Sequence, residues 1–213
     1  MDLIYHKIIQ PQEKKDSKPP CLILLHGRGA DENDLIGLSD YLDKRFLILS
    51  LRAPFKWEFG IGYTWFDMQS DFSPEKNDLK HSLKLLNEFL SQVSKLYDVD
   101  SSRIFIFGFS MGAMIGNLFS TIYPEKVFAN ISHSGYLPAV SDFQYKKIPN
   151  KPVFVAHGIY DPIVPIALGR ETEKVLKELE ANVTYKEYPI EHHICEESIG
   201  DISKWITDLL DKQ

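Results

Sequence analysis

Short apolar runs alternate along this chain with longer stretches in which apolar residues recur at steps of three and four. Residues 22–25, 46–51, 104–107 and 152–156 are apolar almost without interruption, the pattern of strands buried on both faces. Residues 3–9 and 183–188 are less uniformly apolar and are expected as outer strands, and 129–133 is a shorter strand candidate. Between them, Leu79, Leu83, Leu86, Leu90, Val93 and Tyr97 fall on one face of a helix, with Ser73 as the expected N-cap and Pro74 in the first turn. Met111, Met114, Ile115, Leu118 and Ile122 mark a second helix, stopped by Pro124; Val175, Leu176 and Leu179 mark a third. Ile199, Ile202, Ile206 and Leu209 mark the last.

Strands alternating with helices of this length predict an α/β fold, a mostly parallel sheet covered by helices on both faces. The two candidate linkers, 11–20 and 137–149, join an edge strand to the sheet and make a surface excursion; neither divides the chain into two cores. Residues 1–213 therefore read as a single domain without a large lid. The 213 residues are 44% hydrophobic and 25% charged, which excludes a disordered chain. The apolar runs are too short to span a bilayer, and no basic stretch, apolar core and small-residue cleavage site open the chain. A net charge of −6 without a Lys/Arg cluster argues against a nucleic-acid partner. Two cysteines, Cys21 and Cys195, make no disulfide framework, so a cytoplasmic protein with free thiols is expected.

The chemistry concentrates where the apolar strand 104–107 runs into Gly108-Phe109-Ser110-Met111-Gly112 and then into a helix. A serine hydroxyl needs a base, an exposed position and a sink for charge before it can act as a nucleophile. The G-x-S-x-G turn supplies exposure, and its glycines relieve the crowding of a sharp strand-to-helix bend. With 12 glycines in the chain, composition alone gives roughly 0.05 such matches, and the strand-before, helix-after context lowers that further. Downstream, the strand 153–156 leads to Asp161, and the strand 183–188 leads to Glu191-His192-His193. Asp161 alone reads as a turn residue before proline, and His192 alone as a loop histidine. Their order after Ser110, both at strand ends, is that of an α/β-hydrolase triad. His26-Gly27-Arg28-Gly29 follows the first central strand, where backbone N–H groups of Arg28 and Met111 can face a developing oxyanion. The Arg28 side chain could instead bind an anionic substrate group or be solvated.

These segments resemble the phospholipase/carboxylesterase family of α/β-hydrolases, which includes the acyl-protein thioesterases. The resemblance rests on His26-Gly27-Arg28-Gly29-Ala30-Asp31, Arg52-Ala53-Pro54, Trp65-Phe66-Asp67, residues 108–112, His157-Gly158 with Asp161-Pro162, and the His192 segment. It implies a small lidless serine esterase using Ser110, Asp161 and a histidine, with Arg28 and Met111 at the oxyanion hole and Trp65 and Phe66 lining the acyl side. Core aromatics are the competing reading for Trp65 and Phe66. Many relatives have Gln where this chain has Met111, and Gly-His where it has Glu191-His192-His193. Aligned on that pattern, His192 takes the catalytic position.

The cluster Glu191, His192, His193, Cys195, Glu196 and Glu197 raises a metal hydrolase as a rival. It lacks the one-face ligand spacing of helical zinc sites, so no metal and no cofactor are expected. The expected function is hydrolysis of small carboxyl esters through an acyl-enzyme. Acyl-protein thioesterase or lysophospholipase activity and a non-catalytic binding protein are the alternatives. The expected partner is a small or lipid-like ester, with no nucleic acid and no stable membrane insertion; oligomeric state, a homodimer included, is left open.

Overall fold

The computed structural model describes residues 3–13, 17–69 and 73–212. Seven strands form one sheet in the order β1-β3-β2-β6-β7-β8-β9. They are β1 (His6–Ile9), β2 (Cys21–Leu25), β3 (Leu47–Leu51), β6 (Ile104–Phe109), β7 (Ala129–His133), β8 (Pro152–Gly158) and β9 (Asn182–Tyr188). β1 runs antiparallel to β3, and every other pair is parallel. The runs expected to be buried on both faces are the inner strands: every residue of β2 and β3 is buried, as are the first five of β6. The less apolar runs are the two edges. This is the architecture the hydropathy pattern predicts, because only covered strands can be apolar on both faces.

Two short strands that periodicity did not reveal, β4 (Phe55–Lys56) and β5 (Tyr63–Thr64), form a separate hairpin after β3. The helices are α1 (Lys76–Tyr97), α2 (Met111–Ile122), α3 (Ile166–Glu178) and α4 (Glu196–Asp211). α1 and α2 pack on the Ile23, Leu25, Ile104 and Ile106 face of the sheet, and α3 covers Val153 and Val155 on that same side. α4 covers the opposite face, where Ile199, Ile202 and Ile206 meet Leu22, Phe105 and Phe154. Among the described residues no helix is long and apolar enough to cross a membrane.

The start of α1 departs from the expected one. Glu75, not Ser73, is the N-cap, its carboxylate accepting from the Asp78 N–H at 2.8 Å. Ser73 and Pro74 are drawn into pairing with the preceding chain: Gln69 N–H donates to the Ser73 carbonyl, and Met68 bridges to Pro74. Backbone already committed to a ladder cannot open a helix, so the cap moves on. The 137–149 excursion has no helix or strand, yet Val140 and Ile148 are buried and Lys146 and Ile148 donate to Thr121 and Leu179 carbonyls. Part of the 11–20 linker lies outside the described residues.

Candidate active site

The parallel strands all point one way, so the loops leaving their C-terminal ends share one rim of the sheet, where open α/β sheets place their ligands. β2 delivers the loop 26–30, β6 delivers Ser110, β7 delivers Ser134 and Gly135, β8 delivers Asp161, and β9 delivers His192.

Ser110 sits between β6 and α2 at φ 53°, ψ −117°, a backbone strained for any residue with a side chain. Two hydrogen bonds hold it there, from its N–H to the His133 carbonyl (2.9 Å) and from the Met114 N–H to its own carbonyl (3.1 Å). The bend closes tightly enough that a Cβ on Gly112 would lie 1.9 Å from the Leu25 carbonyl oxygen, and one on Gly108 2.3 Å from the Gly112 carbonyl oxygen. Neither position admits a side chain. This is the geometric content of the G-x-S-x-G pattern.

His192 Nε2 lies 2.9 Å from Ser110 Oγ, and its Nδ1 lies 2.7 Å from Asp161 Oδ2. An ionised carboxylate only accepts, so Nδ1 carries the proton and Nε2 is left to receive the serine's. Asp161 is itself pinned: its other oxygen accepts the N–H groups of Ile163 (2.9 Å) and Val164 (2.8 Å) in the turn before α3. His193, one residue on, is exposed and donates its own N–H to the Glu191 carbonyl. The structure thus joins Ser110, His192 and Asp161 in one hydrogen-bonded chain and leaves His193 outside it. Such a chain can deprotonate a serine as it attacks a carbonyl.

The loop after β2 meets the first turn of α2 beside the serine. A Cβ on Gly27 would lie 3.4 Å from that of Ser110. Among the described residues the N–H groups of Arg28 and Met111 donate to no acceptor, which leaves both available at this corner. The Met111 side chain turns inward, 2% exposed, where its sulfur receives the Thr64 hydroxyl. Trp65 and Phe66 have no exposed surface. They belong to the core behind the loop: the Trp65 indole N–H donates to the His26 carbonyl at 3.0 Å, and Ser82 donates to the Trp65 carbonyl. With no surface to offer, they brace the site rather than line it.

A model of the Phospholipase/Carboxylesterase family matches residues 5–210. The chain belongs to that family. It is an ester-hydrolysing serine hydrolase with the α/β-hydrolase fold. Over 160 residues it is 28% identical to acyl-protein thioesterase 1 of Candida albicans, covering 70% of this chain and 69% of that one. It is 22% identical to the putative hydrolase MhqD of Bacillus subtilis, across 92% of this chain and 97% of the relative. Among solved structures, a Bacillus cereus carboxylesterase superposes with a TM-score of 0.87 at 28% identity, covering 96% of this chain and 94% of its own.

Three buried histidines surround the site, and sequence reasoning gave none of them a structural task. His26 Nε2 accepts the Ala53 N–H (3.0 Å), so its proton is on Nδ1, facing the Gly27 carbonyl (2.7 Å). The ring thereby fixes the turn that presents Arg28, and burial pushes its pKa down. His157 donates from Nε2 to the Val164 carbonyl (2.8 Å), holding the Asp161 turn; burial lowers its pKa too. His133 lies between the Ser134 and Ser198 hydroxyls, each 3.0 Å away, with its pKa pushed down to about 3 by burial. Phe109, the variable residue before the serine, packs its ring 5.1 Å from that of His192. Only their position next to the motifs could have flagged these residues.

The acidic cluster after His192 resolves into helix chemistry. Cys195 caps α4 in a reciprocal pair with Ser198, and Glu196 and Glu197 occupy the first turn, where negative charge complements the helix dipole. Among the described residues no three His, Cys, Asp or Glu side chains form a group able to hold a metal.

Proposed function

We propose that the protein is a carboxylesterase that hydrolyses small carboxyl esters through an acyl-enzyme, with Ser110 as nucleophile, His192 as general base and acid, and Asp161 as the group that orients it. The observation that carries this reading is the Asp161–His192–Ser110 hydrogen-bonded chain at the strained turn. Ser110 Oγ adds to the ester carbonyl as its proton passes to His192 Nε2. The oxyanion that forms is held by the N–H groups of Arg28 and Met111. Its collapse breaks the bond to the alcohol, which leaves with the proton from His192. Water then repeats the sequence on the acyl-serine, releasing acid and free enzyme. The charge on His192 during each step is offset by Asp161.

The similarity to an acyl-protein thioesterase supports a second substrate class, since a thioester carbonyl is open to the same attack. The two free cysteines are consistent with a reducing, cytoplasmic setting. Incubation with a fluorophosphonate probe should label the native protein and not Ser110→Ala. On a 4-nitrophenyl ester that variant should lose about 10⁴-fold or more in kcat with an unchanged circular dichroism spectrum. Retention of more than about a tenth of the rate would remove Ser110 from the nucleophile's role. Comparing kcat/KM for an oxygen ester and a thioester of the same acyl group then separates the substrate classes.

A further inference from the structure

The chain has five arginines, and four are held by carboxylates: Arg45 by Asp43 and Asp211, Arg52 by Glu32, Arg103 by Asp100 and Arg170 by Glu187. Arg28 is the exception. Among the described residues its side chain has neither an ion-pair partner nor a hydrogen-bond acceptor, although the protein carries a net charge of −6. Its backbone is nonetheless firmly placed. Gly27 lies against the Phe109 ring and Ser110 Cβ, and Gly29 N–H donates to the Tyr63 carbonyl at 2.9 Å. A Cβ on Gly29 would touch the Trp57 ring at 3.0 Å. A rigid turn therefore carries an exposed cation beside the serine.

The loop after β7 also reaches Ser110. Gly135 packs against the Ser110 carbonyl, where a Cβ would lie 2.7 Å away, and the half-buried Tyr136 follows it. Burial pushes the Tyr136 hydroxyl pKa up, and the Arg28 charge opposes that rise. A guanidinium offers a planar fork of N–H donors that matches a carboxylate in two parallel hydrogen bonds. Among the described residues, internal ion pairing makes no use of this one.

We propose that Arg28 is a specificity-determining residue whose side chain binds an anionic group of the substrate, so that the enzyme favours esters bearing a carboxylate over their neutral counterparts. The proposal rests on the esterase reading above. The carboxylate can belong to the acyl part or to the alcohol part, and the test has an arm for each. In the first, kcat/KM is measured for 4-nitrophenyl hydrogen glutarate and for its methyl ester, after subtraction of spontaneous hydrolysis. In the second, 4-carboxyphenyl butyrate is compared with its methyl ester. The quantity read is the anionic-to-neutral ratio in the native enzyme divided by that in Arg28→Gln, so intrinsic reactivity and any overall rate change cancel.

In one arm this double ratio should be about fivefold, and it should shrink as salt is raised. Arg28→Lys, which keeps the charge and loses the fork, should fall between. A double ratio below about twofold in both arms overturns the proposal. Turnover of any of the four esters by the native enzyme, anionic or neutral, tests the esterase reading separately. If there is none, that reading fails and this one with it.

Discussion

His192 and His193 are adjacent in the chain, yet one residue of register gives one of them the serine and the aspartate and the other solvent. Neighbouring side chains on extended backbone face opposite ways, so a single segment cannot present both. His192→Ala should therefore lower kcat on a 4-nitrophenyl ester by about 10³-fold or more. His193→Ala, measured at the same pH, should keep most of the rate. The opposite ranking would move the base by one position. The residue scale is also where the pattern was most legible and where it left a choice open: Ser110, Asp161 and His192 meet as their order suggested, whereas Trp65 and Phe66, placed by the resemblance on the acyl side with the core as the competing reading, do not reach the surface at all. Strand order along the chain carries the first kind of information. Which side of a loop an aromatic ring turns to is decided by what packs behind it, here His26 and Ser82.

The unit of β6, the turn and α2 depends on close backbone approach, and one substitution made at two glycines separates approach from propensity. At Gly112 a methyl group would collide with the Leu25 carbonyl, and backbone on both sides leaves no soft neighbour to yield. Gly112→Ala should cost about 3 kcal/mol or more, read as a fall in Tm of roughly 6–12 °C, and should uncouple Ser110 from its base. Gly200, exposed within α4, has nothing within 4 Å of such a methyl. Gly200→Ala should stabilise by about 0.5–1 kcal/mol through helix propensity alone. Equal effects at the two sites would show that the turn is looser than its geometry. The elements themselves were legible wherever periodicity ran long enough. The hairpin of β4 and β5 has two residues in each strand, too few for alternation to register, and the cap of α1 was displaced by pairing that no local signal announces.

The whole molecule carries three neutral histidines in its interior, and their cost appears as a pH dependence of stability. His26, His133 and His157 all have pKa values lowered by burial in the folded protein and ordinary, near about 6.5, once unfolded. Below that pH the unfolded chain takes up protons that the native state refuses, so stability falls as pH falls. For His133 the fall continues to about pH 3. A single group contributes at most about 1.4 kcal/mol per pH unit, and only between its folded and unfolded pKa values, so His133 alone should remove about 2 kcal/mol between pH 6.5 and 5. Urea midpoints measured from pH 7.5 to 5 should decline steadily below about 6.5. A flat profile would mean that burial does not hold these rings neutral in the folded state.

The sequence by itself determined the layered α/β architecture, which strands are inner and which are edges, and the order of Ser110, Asp161 and His192. All three follow from one-dimensional signals: hydrophobic periodicity, glycine at a turn that excludes a Cβ, and the position of polar residues at strand ends. Only the tertiary structure decided that His192 rather than His193 faces the serine, that Trp65 and Phe66 stand behind the site, and that Arg28 alone among the arginines has no carboxylate partner among the described residues. Those outcomes depend on contacts between segments far apart in the chain, set by how the sheet brings its loops to one rim, and no local pattern encodes which residue will stand opposite another.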